Sequence, residues 1–458
     1  MGWSSPPTSR SSGRGESTVS FLSDSTANGS PVTPDPSVLP ERRQRPGRRP
    51  GVGSRYWRIW CATAASNLGD GLTLVAMPLL AAAFTRDPLT IAGIGVFTPL
   101  AKIVVSLAGG VLVDRGDRRR VMIAADLVRL IAMGAFAALV ASDDVSFPIV
   151  YLVVFLLGVG EFLYDTSAIA LVRDVVPPRR LTTANGWLYA VEDGAQDLAA
   201  PPIGAALFGA AVWLPFAVDA GTFALSVLLL LSLRGRYRAE RVGTRTTVRS
   251  ELREGFRFAF GVPFFRSAAV MWVTLGFTLG ATLSTLVLFV VDTLDAGELG
   301  YAAIITAGAV GIVMGNLFIA RLERKLSTGG VLVGAISLSG IALIATGAAP
   351  VLAVAAVAQT AWGIGFALAN TQMVSVRQRL VPDALLGRVT GVFGLLSAAG
   401  MVAGVVVGGV LTESGGPRVP ILFAGVVTIA AGLLWFVLLR SFGGVEQAAA
   451  APSRPVGS

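Results

Sequence analysis

The stretch Gly110-Val-Leu-Val-Asp114-Arg115-Gly-Asp117-Arg118-Arg119-Arg120 decides the fold, because it places six charges between two long apolar runs. The run before it, Leu89 to Val113, contains a single charged residue, Lys102. The run after it, Val121 to Ala141, contains two, Asp126 and Arg129. Apolar runs of this length can cross a bilayer as helices, and a short cationic loop between them is typical of the cytoplasmic side. The stretch therefore predicts a hairpin of two transmembrane helices.

The composition extends this prediction to the whole chain. Its 458 residues are 53% hydrophobic and 14% charged, whereas a soluble domain has about 25% charged residues. A single cysteine, Cys61, excludes internal disulfides and cysteine-based metal clusters. Histidine is absent, which leaves carboxyls as the groups for proton chemistry near neutral pH. The predicted fold class is an all-α integral membrane protein that needs no metal and no cofactor.

Hydropathy predicts twelve spans from Tyr56 onward. They lie near residues 57–84, 89–112, 121–141, 147–172, 184–209, 213–233, 265–291, 300–320, 329–349, 351–375, 386–411 and 419–440. The predicted organisation is a disordered tail (1–55), a six-helix bundle (56–233), a loop with an amphipathic helix (234–264), a second six-helix bundle (265–440) and a tail (441–458).

The distribution of cations predicts the orientation. Most of the 37 Lys and Arg residues lie in the tails or in the loops on one side of the membrane. The exceptions are Arg86, Lys102, Arg129 and Arg418. Cytoplasmic loops carry such an excess, and the N-terminal tail contains no apolar segment of a signal peptide. Both termini are therefore expected in the cytoplasm. The excess of Arg over Lys resembles the codon bias of a GC-rich bacterial genome, so the expected location is a bacterial cell membrane.

The two halves of the chain repeat each other at a shift of 205 residues. Gly158 and Gly160 then fall on Gly363 and Gly365, and Val176-Pro177 falls on Val381-Pro382. A six-span unit repeated in the same orientation is the plan of one large transporter fold.

Over residues 56–440 the chain resembles the major facilitator superfamily. Gly110-x-x-x-Asp114-Arg115-x-x-Arg118-Arg119 is similar to the signature that this family carries between spans 2 and 3, with Asp117 in place of a glycine. The motif Leu68-Gly69-Asp70-Gly71 is similar to the one found in a bacterial branch of this family. That branch includes enterobactin-type siderophore exporters and actinobacterial multidrug and macrolide pumps. The resemblance implies two six-helix repeats and alternating access. Phe155 stands where many drug–proton antiporters carry an arginine.

The charged loop is predicted to be a conformational latch, with a simple topology signal as the alternative. Asp114 is placed to accept hydrogen bonds from a helix end, while Arg118 and Arg119 can pair with acids across the gap between the halves. Asp126 and Arg129, expected near the inner end of span 3, would brace the latch. Its residues are Gly110, Asp114, Arg115, Arg118, Arg119, Asp126 and Arg129.

Charged residues inside the first six spans predict a site for protons. An ionised side chain at mid-helix costs roughly 2.5–3.5 kcal/mol on insertion scales, and such residues usually face a cavity. The candidate proton carriers are Asp70, Glu161, Asp165, Asp193 and Asp197, and Lys102 is the expected charge partner of one of them. The alternative role for each acid is a hydrogen bond between helices. The candidates for a substrate cavity are Asn67, Asn370, Gln372, Trp272 and Trp362.

The predicted function is secondary active export of amphipathic small molecules, drug-like or antibiotic-like, by proton antiport. The expected partners are the bilayer, the substrate and protons, without nucleic acid, and the chain is expected to act as a monomer. A dedicated siderophore or metabolite exporter, an importer and a non-transporting sensor are alternatives. An enzyme is not expected, because the sequence pairs no nucleophile with a base and has no phosphate-binding G-x-x-x-x-G-K-[ST] loop.

Overall fold

The computed structural model describes residues 53–235, 237 and 248–441. Side chains are described throughout these ranges except at residues 106–115, 193, 248–252, 263, 383–384 and 438–441. The two predicted tails lie almost entirely outside the described residues. Gly110, Asp114 and Arg115 of the predicted latch belong to the helix that precedes the charged loop, and their side chains are outside the description.

The described residues of the first half form seven α-helices. They are α1 (Ser54–Phe84), α2 (Pro88–Arg115), α3 (Arg118–Ala141), α4 (Phe147–Val175), α5 (Leu181–Asp193), α6 (Ala200–Ala210) and α7 (Leu214–Leu231). The predicted fifth span is not one regular helix, because a π-helical segment, Gly194–Ala199, separates α5 from α6. Pro201 and Pro202 follow that segment in the first turn of α6, where proline removes the N–H groups that would continue the α-helical ladder.

The second half contains the helices α8 (Val248–Gly261), α9 (Pro263–Leu288), α10 (Gly297–Leu322), α11 (Thr328–Ala348), α12 (Leu352–Leu380), α13 (Asp383–Gly415) and α14 (Arg418–Ser441). In the described part of the chain, eleven helices are long and apolar enough to cross a membrane. The all-helical membrane fold is thereby confirmed. The count of twelve stays a prediction, because the fifth span consists of α5, the π-helical segment and α6 together.

Helix α8 lies within the predicted loop 234–264 and rests on α13. Glu254 forms an ion pair with Arg388, and Gly255 lies against the Arg388 carbonyl group. The rings of Phe256 and Phe260 stack 5.9 Å apart and are exposed. An exposed aromatic face on a short polar helix is typical of a segment that lies in the membrane interface.

Three apolar cores show how the two halves meet. We call the end of the bundle with Ser54 the basic end and the other end the opposite end. At the opposite end one core joins both halves and includes Leu80, Phe216, Phe289 and Tyr301. At the basic end each half has its own core, around Tyr164 and Leu230 in the first half and around Phe264, Phe393 and Trp435 in the second.

Direct contacts close the opposite end. Gly95 of α2 lies against Val405 of α13, and Gly409 of α13 lies against Leu89. Arg86 Nε lies 3.4 Å from Asp292 Oδ2, which joins the α1–α2 loop to the π-helical segment Phe289–Thr293 that follows α9. With the predicted orientation, in which the basic end is cytoplasmic, this is an inward-facing arrangement.

Glycines let helices of the second half approach to backbone contact. A Cβ atom on Gly276 would lie 2.0 Å from the Ser397 carbonyl oxygen, and one on Gly404 would lie 2.0 Å from the Phe277 carbonyl oxygen. Both contacts join α9 to α13. Small residues at such positions allow tight packing where no hydrophobic effect drives helices together.

We expect Gly404→Ala to destabilise the protein by about 1–3 kcal/mol, because the added methyl group forces α9 and α13 apart. The measurement is the melting temperature of the purified protein in detergent. Gly394→Ala is the matched control, since a Cβ atom there meets no atom within 4 Å. Equal melting temperatures for the two variants would contradict the close α9–α13 contact.

Asp87 caps the start of α2 in the loop at the opposite end. Its carboxylate accepts hydrogen bonds from the Thr90 hydroxyl, from the Thr90 amide at 3.0 Å and from the Leu89 amide at 3.3 Å. These donors, the Thr90 hydroxyl first, hold the pKa of Asp87 below its usual value. The ionised form is therefore stabilised in the folded state.

We expect Asp87→Ala to cost about 1 kcal/mol at neutral pH, the usual loss for a helix cap. Because the folded-state pKa is lowered, this contribution is complete above the unfolded pKa of about 3.9 and is lost as the pH falls below it. Melting curves at several pH values test this. Asp144→Ala, in the next loop at the same end, is the control, and a difference between the variants that persists at low pH would refute it.

Candidate functional site

Arg129 is the centre of a buried polar cluster in the first half. Its Nη1 donates to the Asp70 carboxylate, at 2.9 Å to Oδ2 and 3.2 Å to Oδ1. Its Nη2 donates to Ser66 Oγ at 2.9 Å and to the carboxylate of Asp126, one turn earlier on α3. The side chain of Arg129 is 1% exposed, so the cluster holds a cation between two acids away from solvent.

Aromatic rings and a glycine enclose this guanidinium. Its central carbon lies 4.5 Å from the ring centre of Phe223 and 5.2 Å from that of Tyr164. Gly160 of α4 faces the stem of Arg129, and a Cβ atom there would lie 2.7 Å from Arg129 Cδ. Cation–π contacts of this kind are stronger when desolvated. The sequence prediction missed Ser66, Tyr164 and Phe223.

A second ion pair lies nearby and is more open. Lys102 Nζ of α2 is 3.2 Å from Glu161 Oε1 of α4, with side-chain exposures of 44% and 18%. The structure thus brings the predicted charge partner to one of the predicted acids. Asp165 is one turn further along α4 and partly buried. Asp197 is partly buried in the π-helical segment, and the side chain of Asp193 lies outside the description.

Asp219 of α7 is a buried acid that the list of candidate carriers omitted. Asp219 is 0% exposed, and its Oδ2 accepts a hydrogen bond of 2.6 Å from the Thr73 hydroxyl group. It lies against Gly69, where a Cβ atom would be 2.1 Å from Asp219 Oδ1. The available signal was a single acid inside an otherwise apolar span.

The structure corrects the predicted latch in two respects. Arg118 pairs with Asp174 and donates to the Ala170 carbonyl oxygen at 3.3 Å, while Arg119 donates to carbonyl oxygens at the end of α7. These partners belong to the same half, not to acids across the gap, because the halves have separate cores at this end. The latch role of the loop stays a prediction.

Asp126 and Arg129 were expected near the inner end of the third span, where they would brace the charged loop, and the second correction concerns their contacts. Arg129 lies eleven residues into α3, roughly 16 Å along a helix of about 36 Å. The pair contacts Asp70 and Ser66 rather than the charged loop.

The predicted cavity residues are mostly engaged inside their own halves. Asn67 donates to the Thr63 carbonyl oxygen on its own helix at 3.0 Å. Gln372 is buried and donates to Glu323 at 2.7 Å, and buried Trp362 stacks on Phe366. Trp272 lies under Arg377, 5.5 Å away. Asn370 is partly buried.

We expect Arg129→Gln to lower the stability by about 3–5 kcal/mol, because two buried carboxylates lose their shared cation. Adding Asp126→Asn to that variant should recover part of the loss, since one uncompensated charge is removed. Melting temperatures of the two single variants and the double variant measure this coupling. Arg120→Gln, at the exposed start of α3, is the control; additive effects would mean that Arg129 and Asp126 do not act as a pair.

The comparisons with known proteins agree with this architecture. A family model described as the Major Facilitator Superfamily matches residues 59–403 and 283–456. The chain therefore belongs to the Major Facilitator Superfamily and is a multi-pass membrane transporter, as the sequence resemblance predicted.

Two efflux proteins are among its relatives. The chain is 25% identical to the multidrug efflux pump Tap of Mycolicibacterium fortuitum over 393 residues, which cover 81% of this chain and 94% of that protein. It is 26% identical to macrolide efflux protein A of Streptococcus pyogenes over 160 residues, 35% of this chain and 38% of that protein.

Solved structures share the fold. A bacterial homologue of the human lysosomal transporter Spinster, in an inward-facing and unoccupied conformation, has a TM-score of 0.67 at 16% identity and covers 86% of this chain and 98% of its own. The nucleoside transporter NupG has a TM-score of 0.68 at 14% identity, with coverages of 84% and 99%.

Proposed function

We propose that this transporter exports amphipathic small molecules, drug-like or antibiotic-like, by alternating access and in exchange for protons. The relatives named as multidrug and macrolide efflux proteins support export. The Arg129 cluster supports proton coupling, and it is the observation on which the proposal depends. We place the protein in the bacterial cell membrane with both termini in the cytoplasm, on the distribution of its cations.

The Arg129 cluster allows one of its two carboxyl groups to bind a proton while the buried guanidinium still has an ionised partner. Arg129 has two acidic partners, so it keeps Asp126 when Asp70 binds a proton. Asp70 has 11% of its side chain exposed, whereas Asp126 has 0%, so Asp70 is the partner that a proton can reach. Protonation then weakens the link between α1 and α3. A change of charge is thus converted into a change of helix contacts.

The Lys102–Glu161 pair supplies a second, more open place for a charge to bind. A proton or the cationic group of a substrate can take the place of Lys102 on Glu161, because the lysine is 44% exposed. Asp165 adds a further carboxyl one turn away on α4. The helices of the second half contribute mainly apolar surface and glycine contacts. An amphipathic substrate fits this division between a charged half and an apolar half.

We expect Asp70→Asn to abolish uphill, pH-driven export and to preserve exchange of substrate without a gradient. The asparagine can still accept a hydrogen bond from Arg129 but cannot gain or lose a proton. The measurement uses inverted membrane vesicles with an imposed pH gradient, with a radiolabelled macrolide and ethidium as the two probes. Asp144→Asn, an exposed loop acid, is the control.

Two outcomes would contradict this assignment differently. If wild-type vesicles move neither probe when the pH gradient is applied, proton-driven export of such molecules is refuted. If wild type exports a probe and Asp70→Asn does so equally well, Asp70 only forms hydrogen bonds. Glu161→Gln and Asp165→Asn then become the variants that should lose coupling.

A further inference from the structure

Asp219 is a buried acid that the ion pairs of the bundle leave out. None of the ion pairs among the described side chains includes it. The helices packed most closely against α7 are α1, α3 and α6, and Tyr164 of α4 also reaches Ser226 of α7, with 3.3 Å between their hydroxyl oxygens. They bring Asp70 from α1 and Asp126 with Arg129 from α3, and the guanidinium of Arg129 is already bound to both of those acids. Helix α6 contains no titratable residue.

The hydrogen bonds around Asp219 indicate which form of the acid fits. Thr73 donates its hydroxyl hydrogen to Oδ2 at 2.6 Å. Thr222 donates its own hydroxyl hydrogen to the Asp219 main-chain oxygen at 2.7 Å, and its Oγ1 also lies 3.4 Å from Oδ1. A threonine hydroxyl has a single hydrogen, and Thr222 gives it mainly to the nearer main-chain oxygen, so its contact with Oδ1 is weak. The carboxyl group therefore has one short hydroxyl donor, Thr73, which is little support for an ionised carboxylate and favours the neutral acid.

Burial favours the same form. A carboxylate without a cation loses its hydration in an apolar bundle and gains only hydroxyl partners in return, so the neutral acid is preferred. Gly69 lies directly against Oδ1, which leaves no space at that side for water or for another side chain. The site is therefore a closed pocket for one protonated carboxyl.

We propose that Asp219 holds a bound proton in this inward-facing arrangement and is a second proton-binding residue of the transporter, separate from Asp70. The coupling part of this proposal rests on the proposed proton antiport. Asp70 is the residue after Gly69, so movement of α1 against α7 alters the surroundings of both carboxyls together. The proton leaves Asp219 when that contact opens. The hydroxyl groups of Thr73 and Thr222 then stabilise the ionised carboxylate.

The proton itself is tested by infrared spectroscopy of the purified full-length protein at neutral pH. We expect the C=O stretching band of a protonated carboxylic acid in wild type, and we expect Asp219→Asn to lose a part of it that Asp70→Asn retains. An unchanged band in Asp219→Asn would overturn the proposal. Should that variant fail to fold, Thr73→Val serves instead. Loss of the hydrogen bond to Oδ2 should shift the band to higher frequency, and an unshifted band counts against the proposal.

Coupling is tested in the same vesicles and with the same two probes as above. We expect Asp219→Asn to reduce pH-driven accumulation at least tenfold while exchange without a gradient continues, because the amide reproduces the hydrogen bonds of the neutral acid. Wild-type accumulation in Asp219→Asn would show a purely structural acid and overturn its coupling role. A wild type that ignores the pH gradient refutes proton antiport instead, and the infrared result still decides whether Asp219 carries a proton.

Discussion

The guanidinium of Arg129 is the constraint on which the first half depends. A cation at this depth in an apolar bundle is stable only with partners from the surrounding helices. Asp70 and Ser66 supply them from α1, and Asp126 supplies one from α3. Because the guanidinium is a rigid planar fork, these bonds fix the rotation of α1 relative to α3. The rings on α4 and α7 that enclose it extend the same constraint to four helices.

Glycine serves the two halves in different ways. In the first half, Gly69 and Gly160 make room for the side chains of Asp219 and Arg129. In the second half, Gly276 and Gly404 bring backbone against backbone. A contact between charged side chains changes when a proton binds, whereas a contact between two backbones does not. In the proposed proton antiport, the first half is therefore the one whose helix contacts respond to a proton.

Hydropathy was sufficient to predict an all-helical membrane fold. This signal depends on local composition, which packing does not change. The partners of each charge were harder to predict, because they depend on the rotation and depth of helices that are far apart in the chain. The sequence identified Asp70 as a candidate proton carrier but could not show that Arg129 of α3 lies against it. Asp219 was missed because nothing in its own span indicates Thr73 or Gly69.

The balance of charge in the first half is the basis of the proposed exchange of protons for substrate. In the middle of its described spans, Asp70, Asp126, Glu161, Asp165 and Asp219 outnumber the cations Arg129 and Lys102. The excess has to be neutralised by bound protons or by a cationic group of a ligand, because unpaired carboxylates are costly there. A bound proton and a cationic group of a ligand repel each other in the same low-dielectric volume. Binding of the proton therefore lowers the affinity for the cationic ligand, and binding of the ligand lowers the affinity for the proton. That reciprocal coupling is the condition for exchange in opposite directions, and it needs no titratable group in the second half.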